Sequence, residues 1–312
     1  MKKFLNIVLG LFFAGYIYGQ QDATYTQNMF NQMAINPAYA GSQDMICITA
    51  LNRQQWMGFD GAPVSGTYSV NAPFTLFEKQ HGVGLTVIRN VVGYNTNIGL
   101  NGAYAFRKKM QIGDGMMSGG ISFGFQNGGL DASKLGGTSA DQFIPTGKQS
   151  VTVFNFGLGL YYKNDKVYFG LSTNNLISGS KKYTNGLSTY TPTRYIYITS
   201  GYKYQLPNPM YQLEPSFFIQ TDGSTSVLNL NTNLVYNNRV WGGLSYRAGT
   251  GAISALFGLE IRAGIRIGMA YDYETSDLNT AATKGSLEFA VIYCFNLKKE
   301  KIPQRYKSIR FL

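Results

Sequence analysis

The sequence has one histidine, two cysteines and few charged residues, and each scarcity excludes a class of site or of protein. With His81 as its only histidine, the chain has no His-based catalytic triad and no metal site with several histidine ligands. We predict that His81 lies in a turn. Charged residues make up 14% of the chain, and most basic ones are scattered at segment ends, unlike the clustered patches of a nucleic-acid-binding protein.

The N-terminal residues 1–19 have the form of a secretory signal peptide, and no second apolar run of helical length follows. Lys2 and Lys3 precede an apolar run from Phe4 to Tyr18, and Gly19 stands at a suitable cleavage point. This run is shorter than the roughly 20 apolar residues of a transmembrane helix, although an uncleaved anchor is the alternative. A helical membrane protein is thereby excluded. No cysteine stands at the cleavage point, so we expect no lipid anchor there.

What the sequence has in abundance is glycine and aromatic residues. It contains 37 Gly and 23 Tyr, and aromatic residues make up 14% of the chain. Together with the low charge, this composition is unusual for a soluble globular protein. A transmembrane β-barrel accounts for it, because its membrane signal is spread over many alternating segments of about ten residues.

Alternation of apolar with small or polar residues is clear in several segments. In residues 94–106, Ile98, Leu100 and Tyr104 alternate with asparagine, glycine and alanine. This period of two predicts strands with one face toward lipid and the other toward a polar interior. A soluble β-sandwich would bury the apolar face instead, but Lys and Glu are nearly absent from the opposite faces, where a sandwich would meet water.

The segments predict an antiparallel transmembrane β-barrel of fourteen strands. An even number allows such a barrel to close without a free edge. The predicted strands are 44–52, 63–72, 82–91, 94–107, 117–126, 150–163, 166–174, 193–205, 210–221, 226–237, 239–248, 252–261, 263–274 and 286–296. Long and short connections alternate along the chain, apart from residues 73–81, which form a longer connection than expected. Pro215 inside a strand predicts a bulge or bend.

These strands divide the chain into four parts. After the signal peptide come an N-terminal periplasmic or plug-like segment (20–43), the barrel (44–297) and a basic tail (298–312). If the long connections face the cell exterior, as in outer-membrane barrels, both termini are expected in the periplasm. The tail is a candidate contact for a periplasmic partner, with a solvated tail as the alternative; its basic residues are Lys298, Lys299, Lys301, Arg305, Lys307 and Arg310.

The two cysteines fall in the first and last predicted strands, which become neighbours when a barrel closes. A disulfide between Cys47 and Cys294 is possible in an oxidising periplasm. The alternative is that both are small, unpaired side chains facing the lumen. The sequence leaves the choice open, because pairing depends on strand register.

A group of charged residues shares the interior-facing parity of the twelfth and thirteenth predicted strands. A charge facing lipid at the bilayer midplane would cost about 2–4 kcal/mol, so these side chains are expected in the lumen. They could form ion pairs across the lumen wall, line a pore or bind a plug. The candidates are Glu260, Arg262, Arg266, Asp272 and Glu274.

No motif for catalysis or cofactor binding accompanies these charges. Paired carboxylates would need a pocket and a partner. The glycine-rich stretches follow strand patterns rather than the strand-to-helix pattern of a phosphate-binding loop. We therefore predict no enzyme activity, no cofactor and no metal site.

A stretch near the N-terminus is more specific. It reads "QQDATYTQNMFNQMAINPAYAGSQD" and is followed by "RQQW" and "GAPVSGTYSV". Pro37 is expected to hold Asn36 extended, and Gly41 to allow a change of direction. In order and spacing these residues resemble the PorP/SprF family of type IX secretion system membrane proteins of the Bacteroidetes. The positions that carry the resemblance are Asn36, Pro37, Ala38, Gly41, Arg53, Gln55, Trp56 and Pro63.

This resemblance implies a protein that works in secretion rather than in catalysis. It implies an outer-membrane barrel embedded in lipid, with partners among secreted, adhesin-like surface proteins or the periplasmic secretion and gliding machinery. The family has no catalytic residues to transfer, and no nucleic acid is expected as a partner. A passive pore for small solutes is the alternative, favoured by the Asn- and Gly-lined interior.

Overall fold

The computed structural model describes residues 23–131, 133, 147–177, 179–183, 189–262, 264–275 and 283–296. The predicted signal peptide and the predicted basic tail lie outside these residues. Before the first strand come three short helical turns, Asn28–Phe30, Gln32–Ile35 and Pro37–Tyr39. None of the helices within the described residues is long and apolar enough to cross a membrane.

Fourteen antiparallel strands form a closed barrel, as the sequence predicts. Each strand pairs with its neighbours in the chain, and the first pairs with the last. The strands are β1 (Ile46–Gln54), β2 (Val64–Leu76), β3 (Lys79–Val92), β4 (Asn95–Lys109), β5 (Met116–Asp131), β6 (Lys148–Lys163), β7 (Val167–Asn174), β8 (Tyr195–Tyr202), β9 (Tyr211–Thr221), β10 (Ser226–Tyr236), β11 (Val240–Ala248), β12 (Ala252–Arg262), β13 (Ile265–Glu274) and β14 (Ser286–Phe295). Two-residue strands also occur at Lys181–Lys182, Thr189–Tyr190 and Tyr204–Gln205.

Side chains alternate between the two faces of the barrel wall in the way the sequence predicts. On the outside, Leu100 is 45% exposed and Leu230 is 48% exposed. On the inside, Asn229 and Asn231 are buried on the same strand as Leu230. The outer face is therefore apolar and the lumen polar, which is the arrangement of a barrel surrounded by lipid.

The four longest connections lie at one end of the barrel. They are 55–63, 132–147, 175–194 and 275–285, and we call this end the long-connection end. At the opposite end, which we call the short-turn end, strands meet in turns such as Phe77–Glu78. That turn corrects the prediction of a long connection at 73–81, since β2 and β3 extend through most of those residues and both turn residues have positive φ. Such a pair suits a two-residue hairpin.

His81 lies in a strand and not in a turn. It is the third residue of β3, and its ring nitrogen Nδ1 is 2.7 Å from the hydroxyl of Tyr104. The ring also stacks on Phe74 at 5.2 Å between centroids. The prediction was wrong because β3 begins earlier than the sequence indicates.

Pro215 interrupts the wall without shifting its register. Gly201 pairs with Ser216 and Tyr204 with Leu213, so the register is the same on both sides of the proline. Between these pairs, Tyr202 and Lys203 are not paired with β9. The N–H of Lys203 donates to the carbonyl of Lys166 at 2.7 Å, on the side of β7 and in register with the β7–β8 ladder. Because proline has no N–H to offer, the wall loses a hydrogen bond here, and the unchanged register shows that no bulge forms, which was one of the two distortions predicted.

The closing seam of the barrel carries a disulfide. In the β1–β14 ladder Cys47 is directly opposite Cys294, and the two are bonded, with their Cα atoms 4.1 Å apart. The structure thus contains the pairing that the sequence left open. The first and last strands are linked covalently near the short-turn end.

We expect this bond to hold together a chain that has been cut between its cysteines. A protease site inserted in the connection 132–147 should give two fragments after cleavage. In denaturing gels without reductant they should migrate together, and with reductant they should separate. The same protein carrying Cys294→Ser should separate under both conditions; separation of the unsubstituted fragments without reductant would contradict the pairing.

Candidate functional site in the barrel lumen

The polypeptide that precedes β1 runs through the inside of the barrel. We call residues 23–44 the luminal segment. At the long-connection end, the hydroxyl of Thr24 donates to Gln220 at 3.3 Å. At the short-turn end, Asp44 forms an ion pair with Arg107 at 2.8 Å. The segment therefore crosses the lumen from the long-connection end to the short-turn end, where β1 begins.

This path differs from the expectation for the N-terminus. From the even strand count, both termini are expected at the end of the barrel where β1 starts. In the structure, the first described residue, Ala23, directly precedes Thr24, which contacts Gln220 at the long-connection end. The last strand ends with Phe295 at the short-turn end.

A cluster of four buried charged side chains lies in the lumen toward the long-connection end. We call Arg53, Arg247, Asp272 and Glu288 the buried charge cluster. The Nη1 atom of Arg53 forms ion pairs with Asp272, at 2.7 Å, and with Glu288. Arg247 is 3.4 Å from the same oxygen of Asp272. All four side chains are at most 5% exposed. The charged groups are therefore stabilised by one another and not by water.

The buried charge cluster also binds the luminal segment. Glu288 accepts hydrogen bonds from the backbone N–H groups of Thr26, at 2.6 Å, and Gln27, at 3.0 Å. The hydroxyl of Thr26 donates to Asp272 at 2.7 Å and lies 2.8 Å from Nη2 of Arg247. Bonds to ionised groups are the stronger class of hydrogen bond. The start of the segment is therefore attached to β1, β11, β13 and β14 together.

The other predicted lumen charges have different surroundings. Glu274 is buried near the long-connection end. Glu260 and Arg266 are 3.4 Å apart and partly exposed at the short-turn end. Arg262 is the last residue of β12, and its side chain lies outside the described part of the structure. The structure thus brings only Asp272 of the five candidates into the buried charge cluster.

The stretch 35–41 is seated against the wall in the half of the lumen nearer the short-turn end. Asn36 is extended, with φ −134° and ψ 110°, as expected for a residue before proline. Its side chain accepts from the N–H of Ala38 at 2.9 Å and donates to the carbonyl of Leu160 at 2.9 Å. Gly41 has a φ of 71°, and its N–H donates to Asn71 at 3.1 Å. One asparagine thus both caps a turn and fixes it to β6.

Where residues 35–41 approach the barrel wall most closely, the wall residues are glycines. A Cβ atom built at Gly82 would lie 1.9 Å from the carbonyl oxygen of Ala40, and one at Gly120 would lie 2.3 Å from the nitrogen of Ala38. At Gly159 it would lie 2.1 Å from the side-chain oxygen of Asn36. Real Cβ atoms do not approach other atoms so closely, so any larger residue there would displace the luminal segment.

The remaining motif positions lie at the opposite end. The N–H of Gln55 donates to the carbonyl of Pro63 at 2.9 Å, which closes the base of the connection 55–63. Trp56 has a positive φ, and its N–H donates to the hydroxyl of Ser286 at 3.1 Å. The motif positions therefore fall in three places. Residues 36–41 lie in the luminal segment, Arg53 belongs to the buried charge cluster, and Gln55, Trp56 and Pro63 belong to the connection 55–63.

Glu288, Arg247 and the wall glycines Gly82, Gly120 and Gly159 were not predicted from the sequence. A signal for Glu288 was available, because it shares the parity of Cys294 on the last strand and so faces the lumen. The glycines gave no signal, since the alternating pattern tolerates a small residue at any interior position. Only the path of the luminal segment distinguishes them.

Beside the luminal segment there is a cavity, which we call the vestibule, at the long-connection end. Its volume is about 90 Å³, enough for several water molecules. Ten of the residues that line it are asparagines or glutamines, and four are aromatic; none of these described lining residues is charged. Asn175 and Tyr190, from the connection 175–194, belong to the lining.

The barrel fold is shared with a solved channel structure. A TodX monoaromatic hydrocarbon channel mutant has a TM-score of 0.51 and 12% identity over 85% of this chain and 94% of that one. The Acinetobacter baumannii outer membrane protein Omp33 has a TM-score of 0.47 and 9% identity over 80% of this chain and 98% of that one. At 12% identity the likeness to the TodX channel concerns the fold alone.

Among curated proteins there is no match to the sequence. The family described as "Type IX secretion system membrane protein PorP/SprF" matches residues 17–293, which is most of the chain and includes every strand of the barrel except the end of β14. This chain therefore belongs to the PorP/SprF family of type IX secretion system membrane proteins and is an outer-membrane β-barrel.

Proposed function

We propose that this protein is a non-enzymatic part of the type IX secretion and gliding system that assists the export or cell-surface anchoring of a secreted, adhesin-like protein. The observation that carries the proposal is the luminal segment. A lumen crossed by covalently attached polypeptide, bound by buried ion pairs, suits a scaffold for partners better than an open conduit. In this proposal, the role of the barrel is to hold the long connections in place for binding the secreted protein.

In this proposal the long connections face the cell exterior and the short turns face the periplasm. Longer outer loops are the rule for outer-membrane barrels. The connections 132–147 and 175–194 would then meet the secreted partner. The basic tail, which continues from Phe295 at the short-turn end, would meet periplasmic machinery through Lys298, Lys299, Lys301, Arg305, Lys307 and Arg310.

The proposal predicts that a surface protein or secretion component copurifies with the tagged chain from native membranes. Replacing the connection 175–194 by an Asn-Gly turn should remove the secreted partner, because it removes contact surface and keeps the barrel. Deleting residues 298–312 should instead remove periplasmic components. Mass spectrometry of the three purifications makes the comparison, and the absence of any such protein from the unaltered sample would overturn the proposal.

The alternative of a passive pore makes the opposite prediction in a system without partners. We expect liposomes that contain only this protein to take up small neutral sugars no faster than protein-free liposomes. The luminal segment occupies the space through which solutes would pass. Rapid uptake by the unaltered protein would favour the pore.

A further inference from the structure

Strand β6 has a free edge at the long-connection end. On one side it pairs with β5 along its whole length. On the other side it pairs with β7 only from Leu158 to Lys163. Beyond Phe156, whose carbonyl accepts from the N–H of Leu176 at 2.8 Å, no described residue continues this ladder. Residues 150–154 therefore form an open strand edge, roughly 16 Å long at about 3.3 Å per residue.

The backbone groups of this edge point away from β5. In an antiparallel strand, successive residues direct their N–H and C=O groups to opposite sides. Because Phe156 bonds on the side of β7, the groups of Ser150, Thr152 and Phe154 face the same side, and these three residues are exposed. Among the described residues, their one partner on that side is Lys181, whose Nζ donates to the carbonyl of Thr152 at 3.3 Å. The edge thus offers a row of donors and acceptors to another strand.

This part of the β5–β6 hairpin projects beyond the lipid. Open sheet edges do not occur within the hydrocarbon region, because their N–H and C=O groups would have no partners there. The projecting hairpin nevertheless carries phenylalanines on its outer face. Phe125 and Phe154 are 49% and 72% exposed, and their ring centroids are 4.8 Å apart. Exposed aromatic surface outside the lipid is typical of a site of protein contact.

Three basic residues lie close to the free edge and give it a positive charge. Lys181, Lys182 and Arg194 are all exposed, and Nη2 of Arg194 donates to the carbonyl of Leu176 at 2.8 Å. In the described part of the chain, none of the three forms an ion pair with a carboxylate. The charge at this edge is therefore complementary to an acidic partner.

We propose that an extended, acidic segment of the secreted partner adds as a strand to the free edge of β6. Its backbone pairs with residues 150–154, its apolar side chains contact Phe154, and its carboxylates lie beside Lys181 and Lys182. In strand addition of this kind, main-chain hydrogen bonds give affinity and side chains give specificity. This inference rests on the proposed function, since it names how the barrel holds its partner. Edge-to-edge pairing with a second copy of this chain is the competing outcome of the test.

The test measures binding of labelled peptides to the purified full chain in detergent micelles, by fluorescence anisotropy. The main probe is a capped nonapeptide of alternating glutamate and valine, which we expect to bind in a saturable way. A counterpart with lysine in place of glutamate should not bind, because its charge is wrong. The acidic nonapeptide with N-methyl groups on its internal amides should not bind either, because it cannot donate to the edge. This second comparison tests the backbone hydrogen bonds without altering the barrel.

Substitutions at the edge should weaken binding of the acidic nonapeptide by measurable factors. Thr152→Pro removes an N–H that faces the free edge and should raise the Kd about tenfold. Thr152→Val keeps that N–H and is the matched control. Lys182→Gln combined with Arg194→Gln should raise the Kd about three- to tenfold and make binding less sensitive to salt. Lys203→Gln, at an exposed lysine near the short-turn end, should have no effect.

The outcomes separate this proposal from the proposed function. Equal binding of the N-methylated or the lysine peptide, or no saturable binding of the acidic one, overturns the strand site. A dimer of the unaltered chain in light scattering that Thr152→Pro converts to a monomer assigns the edge to a second copy and also overturns it. If the secreted partner copurifies equally well with Thr152→Pro, the edge is not where it binds, although the proposed function stands. If no partner copurifies with the unaltered chain, the proposed function itself fails.

Discussion

Replacing Glu288 by glutamine is expected to lower the free energy of unfolding by about 3–5 kcal/mol, the usual cost of breaking a buried ion pair. The substitution leaves Arg53 buried with one carboxylate fewer. It also places an amide in contact with the backbone N–H groups of Thr26 and Gln27, which need acceptors. Both the wall and the luminal segment are therefore affected.

Urea unfolding in detergent micelles, followed by tryptophan fluorescence, measures this loss. The chain has two tryptophans. The backbone N–H of Trp56 donates to Ser286 near the buried charge cluster, and the ring of Trp241 is 5.2 Å from the ring of Phe30 in the luminal segment. Asp60→Asn, an exposed carboxylate in the connection 55–63, is the control and should change stability little.

A double replacement tests whether the residues act as a unit. Arg53→Met combined with Glu288→Met should cost less than the sum of the two single replacements, because each single change leaves the other charge without its partner. Additive losses, or a loss for Glu288→Gln no larger than for Asp60→Asn, would show that the ion pair does not support the lumen.

Adding one methyl group at Gly120 is expected to release part of the luminal segment from the wall. The new Cβ would lie 2.3 Å from the nitrogen and 2.5 Å from the Cα of Ala38, both backbone atoms that cannot rotate away. Overpacking of this kind costs about 1–3 kcal/mol, and a cost of about 1.4 kcal/mol corresponds to roughly tenfold more of the displaced state. The turn Pro37–Tyr39 would move away from the wall, toward the middle of the lumen.

The neighbouring glycine provides a matched control on the same strand. Gly119 faces outward, and its Cβ would meet only the side chain of Leu160, at 3.9 Å. With Ser42→Cys as a buried thiol in the segment, Gly120→Ala should speed maleimide labelling about tenfold, whereas Gly119→Ala should not. Uptake of sugars by liposomes should rise in the same variant. Equal labelling rates in both variants would mean that the luminal segment is not held against the wall at Gly120.

The barrel itself could be predicted because its signal is local. Alternation along Ile98, Leu100 and Tyr104 assigns the faces of β4 without knowledge of any other strand, and the same holds for the alternating leucines and asparagines of β10. Strand ends were less predictable. The turn Phe77–Glu78 lacks the glycine or asparagine that usually marks a tight hairpin. The predicted start of β3 was therefore too late in the chain, and His81 was assigned to a turn.

The luminal segment could not be predicted, because its contacts join distant parts of the chain. Thr26 meets Glu288 across 262 positions of sequence, and its hydroxyl meets Asp272 across 246. The periodicity of the sequence gives no information about such long-range pairs. The resemblance to a family marked Asn36, Gly41 and Arg53 as significant, but only the structure shows that the first two fix the segment to the wall and the third completes a buried ion cluster.

The route of the luminal segment determines how often the polypeptide passes from one side of the membrane to the other. Fourteen strands alone would return the chain to the side from which it started. The segment adds one more passage, from Ala23 at the long-connection end to the start of β1. Tags fused just before residue 23 and just after residue 296 would therefore report from opposite compartments, so a protease added to intact cells would reach only one of them.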